Sequence, residues 1–146
     1  AKALPPLKLC GNYVNSILAK REAASRGFGE ALFVDDGGFV VECTGENVFM
    51  VKDGRVTAVE HGDALPGITR DTVIQLTGAD SCPVRIEELK AADEMFLTGT
   101  SAEIARVEAI DERVFAASPF GDALSSRYAD IVRGRADASR GWLTRV

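Results

Sequence analysis

The sequence predicts an α+β domain dominated by antiparallel strands, on three observations. Short apolar runs between residues 31 and 59 are punctuated by Gly37-Gly38 and by Asp53-Gly54. An Asp-Gly pair between apolar runs signals a tight hairpin, because both turn positions favour positive φ. Segments with apolar residues at helical spacing lie near both ends of the chain. At 146 residues the chain suits one domain large enough to bury a core.

The elements follow in order. After Pro5-Pro6, Gly11 or Asn12 opens a helix running to about Arg26, with Val14, Ile17, Leu18 and Ala24 at helical spacing and Gly27 at its end. ALFVDD, FVVECT, NVFMV and RVTAVE read as strands of an antiparallel meander. LPGITRDTVIQLTG reads as a helix preceded by Pro66-Gly67 and capped by Thr69 or Asp71. PVRIEEL is expected to be a short strand, KAADE one helical turn and MFLTGT a further strand. EIARVEAIDERVFAA is expected to form a second hairpin turning at Asp111-Glu112. In FGDALSSRYADIVRGR, Leu124, Tyr128, Ile131 and Val132 share one face of a helix.

Composition excludes several function classes. A net charge of −5 disfavours non-specific nucleic-acid binding, which needs a basic face. No apolar run approaches the ~20 residues of a membrane span, and AKALPPLKLCGN lacks the apolar core of a signal peptide. Three cysteines (Cys10, Cys43 and Cys82) without C-x-x-C spacing suit reduced thiols in a cytoplasmic protein. The only histidine, His61, lies in the turn-like VEHGDALPG and reads as a lone surface residue. One histidine cannot build a His-based triad, and no metal site is expected.

Four segments carry chemistry. FVVECTGENVFMV places Glu42, Glu46 and Asn47 in a stretch otherwise suited to burial, where an unpartnered carboxylate is costly. KLCGNY puts Lys8 just ahead of a glycine and a helix start, although that segment alone favours a solvated lysine. LPGITRD has the features of an anion-binding helix N-terminus, with N–H groups of Ile68 and Thr69 and the Thr69 hydroxyl. It is equally an ordinary Pro-Gly turn into a helix. LTGTSAE stacks Thr98, Thr100 and Ser101 around Gly99, a second donor cluster or simply a turn. Together the four supply an amine, an acid and an anion cradle, the groups that pyridoxal phosphate needs.

At these blocks the chain resembles the C-terminal, larger domain of the fold-type IV pyridoxal-phosphate enzymes, most closely the branched-chain amino-acid aminotransferases. The matching blocks are K-x-x-G-N-Y at 8–13, NSILAKREA at 15–23, EALFVD at 30–35, ECTGENVF at 42–49, LPGITRD at 65–71, ADEMFLTGTSAE at 92–103 and WLTRV at 142–146. The resemblance implies strands in a barrel-like sheet with flanking helices. It makes Lys8 the Schiff-base lysine and proton shuttle, Glu42 the acid at the pyridine nitrogen, and Tyr13 a hydrogen-bond partner of the cofactor's phenolate oxygen. Ile68, Thr69 and Thr100 would hold the phosphate. Backbone N–H groups of Thr100 and Ser101 would hold the substrate carboxylate, and Glu46 and Asn47 would brace the loop. It further implies transamination of Leu, Ile and Val with 2-oxoglutarate, in a homo-oligomer of dimer size or higher. D-amino-acid aminotransferases and aminodeoxychorismate lyases are the alternative relatives, and a catalytically inactive piece is the other alternative. Residues 1–146 are expected to form the large domain, with the family's smaller N-terminal domain, and the phosphate-clamping arginine it carries, absent.

Overall fold

The structure, a computed structural model, describes residues 8–136 and 141–143. Its centre is the hairpin the Asp-Gly pair predicts. Strand β3 (Asn47–Lys52) turns through Asp53 and Gly54, with φ of 49° and 73°, into β4 (Arg55–Val59), closing with Lys52 opposite Arg55. A turn with both central residues at positive φ matches the right-handed twist of the two strands.

On the other side β3 pairs antiparallel with β6 (Glu94–Gly99), which pairs with β7 (Glu103–Arg106). Beyond β4 lies β5 (Asp80–Cys82), a short exposed strand parallel to it, so the five-stranded sheet runs β5-β4-β3-β6-β7. A parallel pair needs a crossover. Here that is helix α2 (Ile68–Thr77), which ends at Gly78 in the left-handed conformation.

The remaining strands form two separate two-stranded ladders. These are β1 (Leu32–Val34) with β2 (Val40–Cys43), and β8 (Ala109–Ile110) with β9 (Arg113–Val114). Among the described residues the expected barrel-like sheet is therefore corrected to one mixed five-stranded sheet and two small ladders, without closure. The ladder breaks where backbone groups are diverted. Cys43 N–H goes to Glu46 C=O across a tight turn, and Val40 N–H goes to Val84 C=O rather than to a strand beside β2.

PVRIEEL is likewise corrected. Phe39 and Arg85 form only an isolated bridge, after which the Glu88 carboxylate accepts the Arg85 N–H at 2.8 Å and turns the chain into helix α3 (Ile86–Lys90). The second expected hairpin does turn at Asp111-Glu112, but only β8 and β9 belong to it, whereas β7 joins the large sheet.

Alternation along β3 buries both faces. Val48 joins Val40, Cys43, Leu89, Met95 and Leu97 in one core cluster, while Phe49 and Val51 join Ala58, Val73, Phe96 and Leu124 in the other. The Phe49 and Phe96 rings face each other in register and stack at 5.0 Å. Helix α4 (Pro119–Val132) packs Leu124 and Ile131 inward, as its spacing predicts. Helix α1 (Tyr13–Ser25) behaves differently: Val14, Ile17 and Leu18 point outward, and only Ala23 is buried.

The first residue of β6, Glu94, is buried under the start of α4. Its side chain accepts the Ser118 hydroxyl at 3.0 Å and the N–H groups of Phe120 and Gly121 at 3.1 and 3.0 Å. These N–H groups have no intrahelical partner, so a strand carboxyl caps the helix from outside it. A Cβ on Gly121 would lie 2.6 Å from the Ser118 oxygen, which leaves glycine as the residue that fits.

Candidate functional site

The site is organised around the tight turn that joins β2 to β3. Glu42 sits on β2 half-buried, and its Oε2 accepts the Leu65 N–H at 2.9 Å. Burial raises its carboxyl above the ordinary range, and the Leu65 bond pulls it partway back. Its second oxygen takes no hydrogen bond among the described residues. Neighbouring Cys43 belongs to the core, where burial first and the nearby Glu30, Glu46 and Glu42 second push its thiol strongly up, which leaves it unreactive. All three cysteines are free thiols.

The turn Thr44-Gly45-Glu46 is clamped by residues with no role assigned from the sequence. Glu30 Oε1 accepts the Ala31 N–H at 2.9 Å, the Thr44 N–H at 3.4 Å and the Thr44 hydroxyl, while Lys20 of α1 reaches Oε2 at 2.9 Å. Burial alone would raise Glu30. The hydrogen bonds from Thr44, Ala31 and Lys20 outweigh it and hold this carboxyl below its ordinary value. Glu46 moves the other way: burial raises it, and the adjacent Glu30 adds to the shift. Glu30 lies in EALFVD and Lys20 in NSILAKREA. Nothing in either segment singles the residue out, because the pair is made by chain separation and packing.

LPGITRD closes over this end. Leu65 is held at both backbone groups: its N–H by Glu42, and its C=O by the Asn47 side-chain amide at 2.8 Å. Helix α2 then opens at Ile68 with Gly67 as N-cap, and no side chain caps it. This corrects the expected capping by Thr69 or Asp71, since Thr69 lies inside the first turn and is buried. Gly67 is required by proximity, because a Cβ there would collide with Asn47 Oδ1. Arg70 turns away from this end, bonding Val59 C=O and the Ser81 hydroxyl.

The third motif arrives on β6. Thr98 lies opposite Asn47 in the sheet; it is buried, and its hydroxyl has no hydrogen-bond partner among the described residues. Beyond it Gly99 packs against the β2–β3 turn, where a Cβ would come within 3.3 Å of Gly45 C=O and 3.2 Å of Glu46 Cγ. Thr100 and Ser101 follow in an exposed turn.

Three of the four segments singled out in the sequence therefore meet at one place. The fourth does not join them. Lys8 is exposed at the start of the described chain, and Tyr13, half-exposed, begins α1. Neither side chain hydrogen-bonds the cluster among the described residues. His61 is more enclosed than a surface residue, its Nε2 lying 3.4 Å from Asp35 and its Nδ1 accepting the Asp63 N–H at 3.1 Å.

A family model, Amino-transferase class IV, matches residues 2–110, which contain all of these segments. The chain belongs to that aminotransferase family. As a class IV aminotransferase it is 40% identical over 149 residues to a probable branched-chain-amino-acid aminotransferase of Aquifex aeolicus, covering 95% of this chain and 48% of that protein. It is also 40% identical over 144 residues to the branched-chain-amino-acid aminotransferase of Pseudomonas aeruginosa, covering 93% and 47%. Among solved structures, the branched-chain aminotransferase from Thermobaculum terrenum in its PLP form superposes with a TM-score of 0.89 at 40% identity, covering 98% of this chain and 50% of that one. A further branched-chain aminotransferase, complexed with N-(5'-phosphopyridoxyl)-L-glutamate, gives 0.90 at 42%, covering 98% and 51%. The chain thus spans about half the length of the relatives it matches. Among the described residues no helix is long and apolar enough to cross a membrane.

Proposed function

We propose that the chain is the pyridoxal-phosphate-binding part of an aminotransferase that moves the amino group of leucine, isoleucine and valine to 2-oxoglutarate. Residues 1–146 correspond in this reading to the larger, C-terminal domain of a cytoplasmic homo-oligomer, and the rest of the relatives' length to a smaller N-terminal domain. The observation that carries it is the convergence at the β2–β3 turn of Glu42, the uncapped start of α2 and the Thr98–Ser101 segment.

The cofactor fits the groups present. An uncapped helix start suits a phosphate, since the free N–H groups and helix dipole favour an anion. The buried Thr98 hydroxyl, on the residue opposite Asn47 in the sheet, is a donor left to spare. Glu42 keeps one oxygen open, in partial burial where its charge needs a cationic partner.

When bound, pyridoxal phosphate supplies an aldehyde for amine exchange and a cationic ring that draws electrons from the substrate Cα. The chain's residues do the rest. Glu42 holds the proton on the ring nitrogen, and a cation beside its carboxyl reverses the burial shift and keeps the acid ionised. Ile68 and Thr69 bind the phosphate by backbone and hydroxyl, helped by Thr100. N–H groups of Thr100 and Ser101 hold the substrate carboxylate, and the Tyr13 hydroxyl meets the ring oxygen. Lys8 presents the amine and carries the proton to and from Cα.

Borohydride trapping tests this reading. The chain is incubated with pyridoxal phosphate and reduced, and the modified peptide is located, with Lys8→Ala as control. Saturable labelling dominated by Lys8 and lost in the variant is expected. Diffuse labelling that the substitution leaves unchanged would overturn it for this chain.

A further inference from the structure

We infer that Asn47 is a positioning residue that locks the acid and the phosphate-binding helix start into one unit through the peptide groups of Leu65. The inference rests on the cofactor reading above and goes beyond a general bracing role for Asn47.

The geometry is specific. Two side chains from strands joined by one tight turn, Glu42 on β2 and Asn47 on β3, take the N–H and the C=O of a single residue at 2.9 and 2.8 Å. Leu65 is thereby fixed at both backbone groups, just ahead of Gly67, the N-cap of α2. The Oδ1 of the same Asn47 side chain fills the space beside Gly67 that a Cβ would need. One buried amide therefore touches the strap at two points, holding Leu65 by its nitrogen and limiting Gly67 by its oxygen.

The consequence concerns both halves of the site. With Leu65 C=O held, its N–H stays on Glu42 Oε2, and the other carboxyl oxygen is the one that would meet the ring nitrogen. With Gly67 seated against Asn47, the first N–H groups of α2 keep a fixed place relative to that carboxyl. A cofactor gripped at the ring nitrogen and at the phosphate needs the two grips at a constant separation, since a misplacement of about 1 Å is enough to cost most of the benefit of preorganisation.

The test uses two variants and two readouts on the 146-residue chain. Asn47→Ala removes the lock. Gly67→Ala pushes the Asn47 oxygen and displaces the amide from Leu65 without touching it chemically. In each variant the Leu65 amide is expected to exchange its hydrogen roughly tenfold faster relative to core amides such as Phe49 and Phe96, the effect of losing one net hydrogen bond. In the double variant Gly67→Ala should add little to Asn47→Ala, because the group it strikes is gone. The second readout is the ratio of affinities for pyridoxal phosphate and pyridoxal, which isolates the phosphate grip. It should fall in both variants, whereas a general loss of folded protein lowers both affinities and leaves the ratio alone.

An unchanged Leu65 exchange rate in a folded Asn47→Ala chain would overturn the inference, as would additive effects of the two substitutions. An unchanged affinity ratio beside faster exchange would overturn the link to the phosphate grip. Failure of the unsubstituted chain to label at Lys8 defeats the functional reading instead, and the Leu65 exchange still decides the lock.

Discussion

Glu94 and Glu42 are glutamates on neighbouring parts of the same fold, and each reaches backbone N–H groups at or just ahead of the start of a helix. Glu94 is buried and accepts three hydrogen bonds at the start of α4. Glu42 is half-buried and accepts one, from Leu65 ahead of α2. The helix beside the first is fully served, whereas the helix beside the second has no side-chain cap, and the buried hydroxyl of Thr98, opposite Asn47, has no partner among the described residues. A folding requirement ends with every polar group satisfied. A binding requirement leaves donors and an acceptor for something else.

Removing the satisfied acid should have the largest effect. Glu94→Ala strands three donors at the start of α4 and is expected to destabilise the chain by about 3–5 kcal/mol in urea unfolding. The open side of the comparison predicts the opposite sign. Thr98→Val keeps shape and deletes an unpartnered buried hydroxyl, so the cofactor-free chain should gain about 1 kcal/mol, and a loss would mean the hydroxyl is already satisfied. Glu42→Gln should move stability by less than about 1 kcal/mol, with a pH signature. The folded carboxyl is raised by burial, so its stabilising contribution is present below the ordinary carboxylate range and lost as pH rises through the folded value. The variant should therefore gain on the parent chain as pH rises from about 4 to about 8, and a flat difference would contradict the burial of Glu42.

The same contrast explains what is legible in the sequence. The β3–β4 hairpin is legible because Asp53-Gly54 fixes a turn locally, and α4 because Leu124 and Ile131 face inward at the spacing they show. Strand β5 is not, being short and exposed with no alternation to betray it. RIEEL reads as a strand because its isoleucine favours one and its N-cap is an arginine, so the usual Ser, Thr or Asp signal for a helix start is missing. Closure of the sheet depends on pairings between distant segments, on which local pattern is silent. At the site, Glu42 stands out as a charge in an apolar run. Leu65 does not, because its contribution is a peptide group, which every non-proline residue carries. The outward face of α1 shows the reverse error: Val14, Ile17 and Leu18 have core spacing and lie exposed.

The Leu65 clamp also bears on the order in which the chain folds. Its two hydrogen bonds span sequence separations of 23 and 18, both within a single stretch of chain around the β3–β4 hairpin. Contacts of short sequence separation close early, because little loop entropy is lost before they form. The acid and the helix start should therefore come together while β6 and its threonines are still undocked. Substitutions at Asn47 would then slow folding, and substitutions at Thr98 would mainly change the rate of unfolding.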